Sequence, residues 1–156
     1  MPTYSFKSVG KTQQQQAVEE IQATQIPYGI KTPLELGDLG ESIFAMNYSI
    51  SDQLADNLRN LVLTNWGERL GQYHFGANLR PLLTEYSTQV NFDNQAINRI
   101  RTAVERWMPF VQLGTFESVI DRTENKNTAV IKLNITYSIP AIDEQDRAIQ
   151  IVLYVI

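Results

Sequence analysis

Acidic and basic side chains meet in this sequence at one place where their spacing could do chemistry. Glu68 and Arg69 are adjacent in Trp66-Gly67-Glu68-Arg69. A carboxylate in such a turn can act as the acid that cleaves a glycosidic bond. That reaction needs a second carboxylate across the sugar, about 5 to 9 Å away. Glu85 is the candidate for that second group, and no spacing rule brings it there. The same two charges can instead fix the angle between two helices, by capping or by one ion pair. The structural reading asks for less, because pairing two carboxylates by inspection succeeds in almost any chain. His74 is the one histidine, between Tyr73 and Phe75, with no Asp or Cys at a motif spacing. It reads as a hydrogen-bonded structural imidazole rather than a catalytic base. With no cysteine, a thiol nucleophile and a disulfide framework are excluded, and a structural zinc site nearly so. No catalytic, metal or cofactor site is therefore expected, with Glu68 and Glu85 as the catalytic alternative.

The elements that must position this turn are legible from periodicity. Phe44, Met46, Tyr48 and Ile50 alternate with Ala45, Asn47 and Ser49, which predicts a short extended segment. Ser51 stands where an N-cap belongs, and Asp52 follows in the first turn. Leu54, Leu58, Leu61 and Val62 fall at i, i+4, i+7 and i+8 and make one apolar face. Asp56, Asn57, Arg59 and Asn60 lie opposite. Asn65 and Gly67 supply the stop. A Tyr-His-Phe-Gly corner follows, in which Phe75 buries a ring and Gly76 lets the chain turn tightly. A second short helix opens with Asn78 as N-cap and tolerates Pro81 in its first turn. Leu79, Leu82 and Leu83 give it a buried side. A third helix spans 93–107, with Ala96, Ile97, Ile100, Val104 and Trp107 inward and Arg99, Arg101, Glu105 and Arg106 outward. Pro109 ends it. Trp66 and Trp107 fit either a core or an interface.

After Pro109 the period becomes two. A strand over 111–120 changes phase near Gly114, which predicts a bulge. A polar turn covers 123–128. Ile131, Leu133, Ile135, Tyr137 and Ile139 then alternate with polar residues, as in a strand with one buried face. Pro140 closes it, an acidic loop covers 143–146, and a last strand runs over 148–156. In that strand Ile149, Ile151, Leu153 and Val155 line one face, and Val152, Tyr154 and Ile156 much of the other. Such a strand wants cover on both faces. It is either the central strand of the three or an edge that another protein covers or extends. The fold class is α+β: an N-terminal arm, about three helices, then an antiparallel β-meander of about three strands.

Residues 1–41 read as an extended N-terminal arm and 42–156 as a single α+β domain. A thin apolar stripe over 12–25 allows one helix, beside the glutamine run 13–16. Ile26-Pro27-Tyr28-Gly29 and Lys31-Thr32-Pro33 are expected to break regular structure. The chain has 156 residues, 43% of them apolar and 19% charged, which is enough for one domain with a core. A net charge of −4 gives no support to nucleic-acid binding. No apolar run is long enough for a membrane span, and the N-terminus lacks the apolar stretch of a secretory signal.

The run from Leu61 to Leu83, with Gly67-Glu68-Arg69 and Phe75-Gly76, resembles the small baseplate wedge protein of T-even-type contractile-tailed phages. It is also similar to the related baseplate subunit of type VI secretion systems. The resemblance covers about 42–156. It implies a structural virion protein at the top of the baseplate wedge, and not an enzyme, although a cell-wall lysozyme role is its alternative. The implied partners are the wedge core-bundle proteins, the tail sheath protein, and tail tube or hub neighbours, with neither nucleic acid nor membrane among them. The implied location is the virion tail baseplate, with the host cytoplasm during assembly, or the matching place in a secretion system or tailocin. Relatives carry Glu-Pro-Arg after the third helix, where this chain has Met108, Pro109 and Phe110. The wedge contact implied here is Glu68, Arg69, Met108, Pro109 and Phe110. The β-module at 130–139 and 148–156 is similar to the strand-exchange module of sheath proteins. It implies a sheath contact through Ile149, Ile151, Leu153 and Val155.

Overall fold

The computed structural model describes residues 26–37, 43–85, 89–122 and 129–155. The expected helix at 12–25 and the turn at 123–128 lie outside them. The chain forms two compact units, Met1–Gln53 and Leu54–Ile156.

In the first unit, β1 (Gly29–Ile30) pairs antiparallel with β2 (Met46–Asn47), and Leu36 forms a separate antiparallel bridge with Phe44. The segment expected to break regular structure is thus a short strand. Pro27 and Pro33 flank the paired residues and leave the ladder donors of Tyr28 and Lys31 in place. Gly29 is required by its neighbour, because a Cβ there would meet the side-chain amide of Gln53.

Helix α1 (Ile50–Leu63) opens earlier than its Ser51 signal. The Ser49 carbonyl accepts its first bond, from the Gln53 N–H at 3.1 Å. Ser51 is buried inside the first turn. The predicted face is correct, since Leu58, Leu61 and Val62 are fully buried. Each contributes about 1.5–3 kcal/mol by leaving water. Asp56, placed by periodicity on the wet face, is buried and held by Arg59 at 2.9 Å.

Helix α2 (Arg80–Glu85) is one turn and a half, and α3 (Gln89–Trp107) is the longest element of the helical part. Phe92, Ala96, Ile100, Ala103 and Val104 form the inner face of α3. The expected start at 93 was late because Phe92 belongs to the same stripe.

Strands β3 (Gln112–Arg122), β4 (Ala129–Ile139) and β5 (Glu144–Val155) form one antiparallel sheet in the order β3-β4-β5. The predicted bulge lies between Leu113 and Phe116, where the register shifts. A 3₁₀ turn, Pro140–Ile142, leads to Asp143 in the left-handed region and straight into β5. The acidic stretch is therefore the start of the last strand rather than a loop. The central strand is β4, so of the two places left open for the last strand β5 takes the edge of this sheet. Its inner face continues rows that cross the sheet, such as Phe116–Ile135–Ile149 and Ser118–Leu133–Ile151. Those rows and the three helices share one hydrophobic core. Ser118 donates a short hydrogen bond to Asp93, which ties β3 to α3.

Candidate functional site

The stretch 64–80 is held by a closed set of hydrogen bonds. Asn65 is at its centre. Its side-chain oxygen accepts the Arg80 backbone N–H at 3.1 Å, so Asn65 caps α2 from across the turn. Asn78, expected in that role, has φ 52° instead. It donates its own N–H to the Thr64 carbonyl at 3.2 Å, and its carbonyl accepts from the Arg99 guanidinium. Gly67 N–H meets the Tyr73 carbonyl at 2.8 Å, and Ala77 N–H meets the Leu61 carbonyl at 3.1 Å. The Trp66 indole donates to the Gly76 carbonyl at 3.2 Å. Gly76 has φ 104°, and a Cβ there would stand 2.1 Å from the Thr64 carbonyl oxygen. His74 is exposed and stands edge-on to Trp66 and Tyr73, with ring centroids 5.4 and 5.1 Å away. Among the described residues its ring makes no hydrogen bond, so its place is set by ring contacts alone.

Glu68 does not pair with Arg69. Its two carboxylate oxygens accept the Asn65 backbone N–H at 2.7 Å and the Asn65 side-chain amide at 3.0 Å. The Asn65 backbone bond, then the side-chain bond, hold this carboxyl below its usual range, against slight desolvation and with a smaller lowering contribution from the Arg80 charge. A general acid for glycoside cleavage needs the opposite shift. Glu85 closes α2 at its C-terminal end, and its side chain is outside the described residues. Because folding lowers the Glu68 pKa, the ionised clamp stabilises the protein at neutral pH, and that contribution fades as pH falls through and below the carboxylate range. Wild type should thus melt above Glu68→Gln at about pH 7, and the gap should shrink as the pH falls below the ordinary carboxylate range. A gap of constant size across that range would show that the charge does not contribute.

Arg69 lies over the Phe75 ring at 4.2 Å, and Phe75 meets Trp107 edge-on at 5.2 Å. This stack forms one wall of an open cleft of about 640 Å³. Glu68 and Arg69 line it from the hinge, Asn57 and Leu61 from α1, and Met108 and Phe110 from the end of α3. The fold thus gathers in one cleft four of the five residues named for the wedge contact. Pro109 is exposed beside them. Met108 is only 6% exposed and belongs to the core, whereas Phe110 is 43% exposed. Of these two residues implied for the wedge contact, Phe110 offers a free side chain and Met108 does not. Trp107 closes the helix, and Val111 N–H turns back to the Met108 carbonyl, which points Met108 inward. Met108→Ser should cost about 2–4 kcal/mol in urea unfolding, and Phe110→Ser less than about 1 kcal/mol. Equal costs would mean that Phe110 is also a core residue.

The third feature is the β5 edge. Ile149 and Ile151 are buried and Leu153 half-buried, all on the face toward the core. Val155 ends the strand, and its side chain is outside the described residues. Contact of Ile149 and Ile151 with another protein would run through their backbone. The free side chains are on the other face: Val152, and Tyr154 at 68% exposure. Val152 is in line with Lys132 and Val119 across the sheet. Sequence periodicity showed two apolar faces and could not say which one the helices cover.

Neither a protein-family model nor a curated protein matches this sequence. Solved structures do. A chain of the anti-feeding prophage baseplate superposes with a TM-score of 0.57 at 18% identity, over 77% of this chain and 90% of that one. A Geobacter sulfurreducens protein with the provisional name of tail lysozyme superposes with a TM-score of 0.50 at 18% identity, over 69% of this chain and 90% of that one. At this identity the likeness is one of fold, and the chain has the α+β fold of a chain in the anti-feeding prophage baseplate.

Proposed function

We propose that this chain is a structural subunit of a contractile-tail baseplate, and that its β5 edge receives a strand from the tail sheath protein. The observation that carries the reading is the edge itself. Residues 148–155 contain no charge and no proline, the usual protections of an exposed strand. The opposite edge, β3, has charges along its length, at Glu117, Asp121 and Arg122, whereas those of β5 are confined to its start, at Glu144, Asp146 and Arg147. Backbone groups along β5 would supply affinity and alternate side chains selectivity. The cleft at Glu68, Arg69, Phe75 and Phe110 is the surface for the wedge core bundle, with Met108 and Pro109 shaping its rim. Tail tube or hub proteins complete the surroundings. The location that follows is the virion tail baseplate, reached from the host cytoplasm during assembly, or its equivalent in a secretion system or tailocin.

The test is sheath growth on baseplates that carry Val152→Lys and Tyr154→Lys together. Both side chains are exposed, so the subunit should fold and enter the baseplate. Charges at this edge oppose strand addition, and electron microscopy should show baseplates with sheath initiation reduced by about tenfold or more. Sheaths at the wild-type frequency would overturn the proposal.

A second reading is a glycoside hydrolase acting on peptidoglycan. The fold shared with the provisionally named tail lysozyme and the carboxylate on the wall of an open cleft favour it. The occupied oxygens and lowered pKa of Glu68 count against it. Turnover of purified peptidoglycan by wild type, lost in Glu68→Gln and Glu85→Gln, would establish it.

A further inference from the structure

Helix α3 carries Arg99 and Arg106 two turns apart, and between them lies a second recess of about 430 Å³. It is lined by Trp66 and His74 from the hinge and by Asn98, Arg99, Arg106 and Trp107 from the helix, over a floor that includes Ala77 and Ala103. Among the described residues no carboxylate lines it, in a chain whose net charge is −4. Arg99 is oriented by its bond to the Asn78 carbonyl, which leaves further N–H groups of the same guanidinium for an acceptor. Arg106 is exposed, stands 5.3 Å from the centre of the Trp107 ring, and forms no ion pair among the described residues. The Trp107 indole N–H is buried without an acceptor, a state that costs about 1–3 kcal/mol. The two guanidinium groups and the aromatic walls thus stand at one place, without a carboxylate among the described residues beside them.

We infer that this recess docks an acidic segment of a partner protein, with a carboxylate held between Arg99 and Arg106 and an adjacent apolar side chain against Trp66 and Trp107. Charge-assisted bonds to guanidinium groups are the strong class of hydrogen bond, and two aromatic walls select an apolar neighbour over a bare anion. A nucleic-acid strand fits less well, because two arginines make no basic stripe along which a phosphate backbone could run. This contact is separate from the β5 edge and does not depend on strand addition.

The chain has two tryptophans, so its ¹H–¹⁵N spectrum contains two indole resonances that both report on this recess. The probe is the peptide acetyl-Gly-Glu-Phe-Glu-Gly-amide, with its glutamine counterpart and an oligothymidylate as controls. The acidic peptide should shift both indole signals to saturation, and the glutamine peptide should bind at least about tenfold more weakly. Arg106→Gln, whose side chain is exposed and outside the core, should lose a similar factor. Val152→Lys, on the sheet, should leave the titration unchanged. Absence of saturable shifts, equal binding of the glutamine peptide, an unaltered titration of Arg106→Gln, or tighter binding of the oligonucleotide would each overturn the inference.

Discussion

Gly76→Ala should remove about 2–6 kcal/mol of stability, while Gly71→Ala, only a few residues away, should cost about 1–2 kcal/mol. Both glycines have positive φ, 104° and 79°. At Gly71 a Cβ meets nothing within 4 Å, so the substitution carries only the ordinary left-handed penalty of about 1–2 kcal/mol. At Gly76 the Cβ would stand 2.1 Å from the Thr64 carbonyl oxygen, which is backbone and cannot swing aside like a side chain. The carbonyl must move, and it is the acceptor for Asn78 N–H. Backbone strain of about 1–3 kcal/mol then adds to a disrupted hydrogen bond between half-buried residues, at most about 1–3 kcal/mol. A domain of this kind holds about 5–15 kcal/mol in total. Urea unfolding measures the difference through the midpoint at unchanged m-value. A Gly76→Ala protein within about 1 kcal/mol of wild type would mean that the hinge relaxes without its bonds.

Proline at two neighbouring positions of β5 should give two opposite results. In an antiparallel edge strand successive N–H groups point alternately to the neighbour and away from it. Ile151 is opposite Leu133, and Val152 opposite Lys132, on β4. One of Ile151→Pro and Val152→Pro therefore removes a ladder bond, and the other removes only an outward donor. Proline in a hydrogen-bonded position costs about 3 kcal/mol or more. The expected outcome is one variant with a large fall in melting temperature and one that folds. Matched alanine variants subtract the loss of the buried isoleucine from the comparison. The folded variant should enter baseplates and fail to start sheath. Two equally destabilised proline variants would mean that β5 is hydrogen-bonded on both sides, and the edge would not be free for a partner.

Periodicity alone determined α1, the inner face of α3, the alternation of β4 and the bulge at Gly114. These are local matters, since a helix or strand with one apolar face has one way to bury it. The hinge glycines were also legible, because Gly67 and Gly76 flank a turn that L-residues reach only with strain. Tertiary structure decided everything that depends on which residues meet. Asn65 caps a helix that begins fifteen residues later, a contact no capping rule of adjacent positions can find. Glu68 answers to Asn65 rather than to Arg69, because the turn folds its carboxylate back over the end of α1. Met108 is inside and Phe110 outside, as the turn after Trp107 settles the phase that Pro109 interrupts. The last strand is an edge for a related reason. Two faces of similar hydrophobicity leave strand order undetermined from the sequence, and the fold puts β4 at the centre, paired with β3 on one side and β5 on the other.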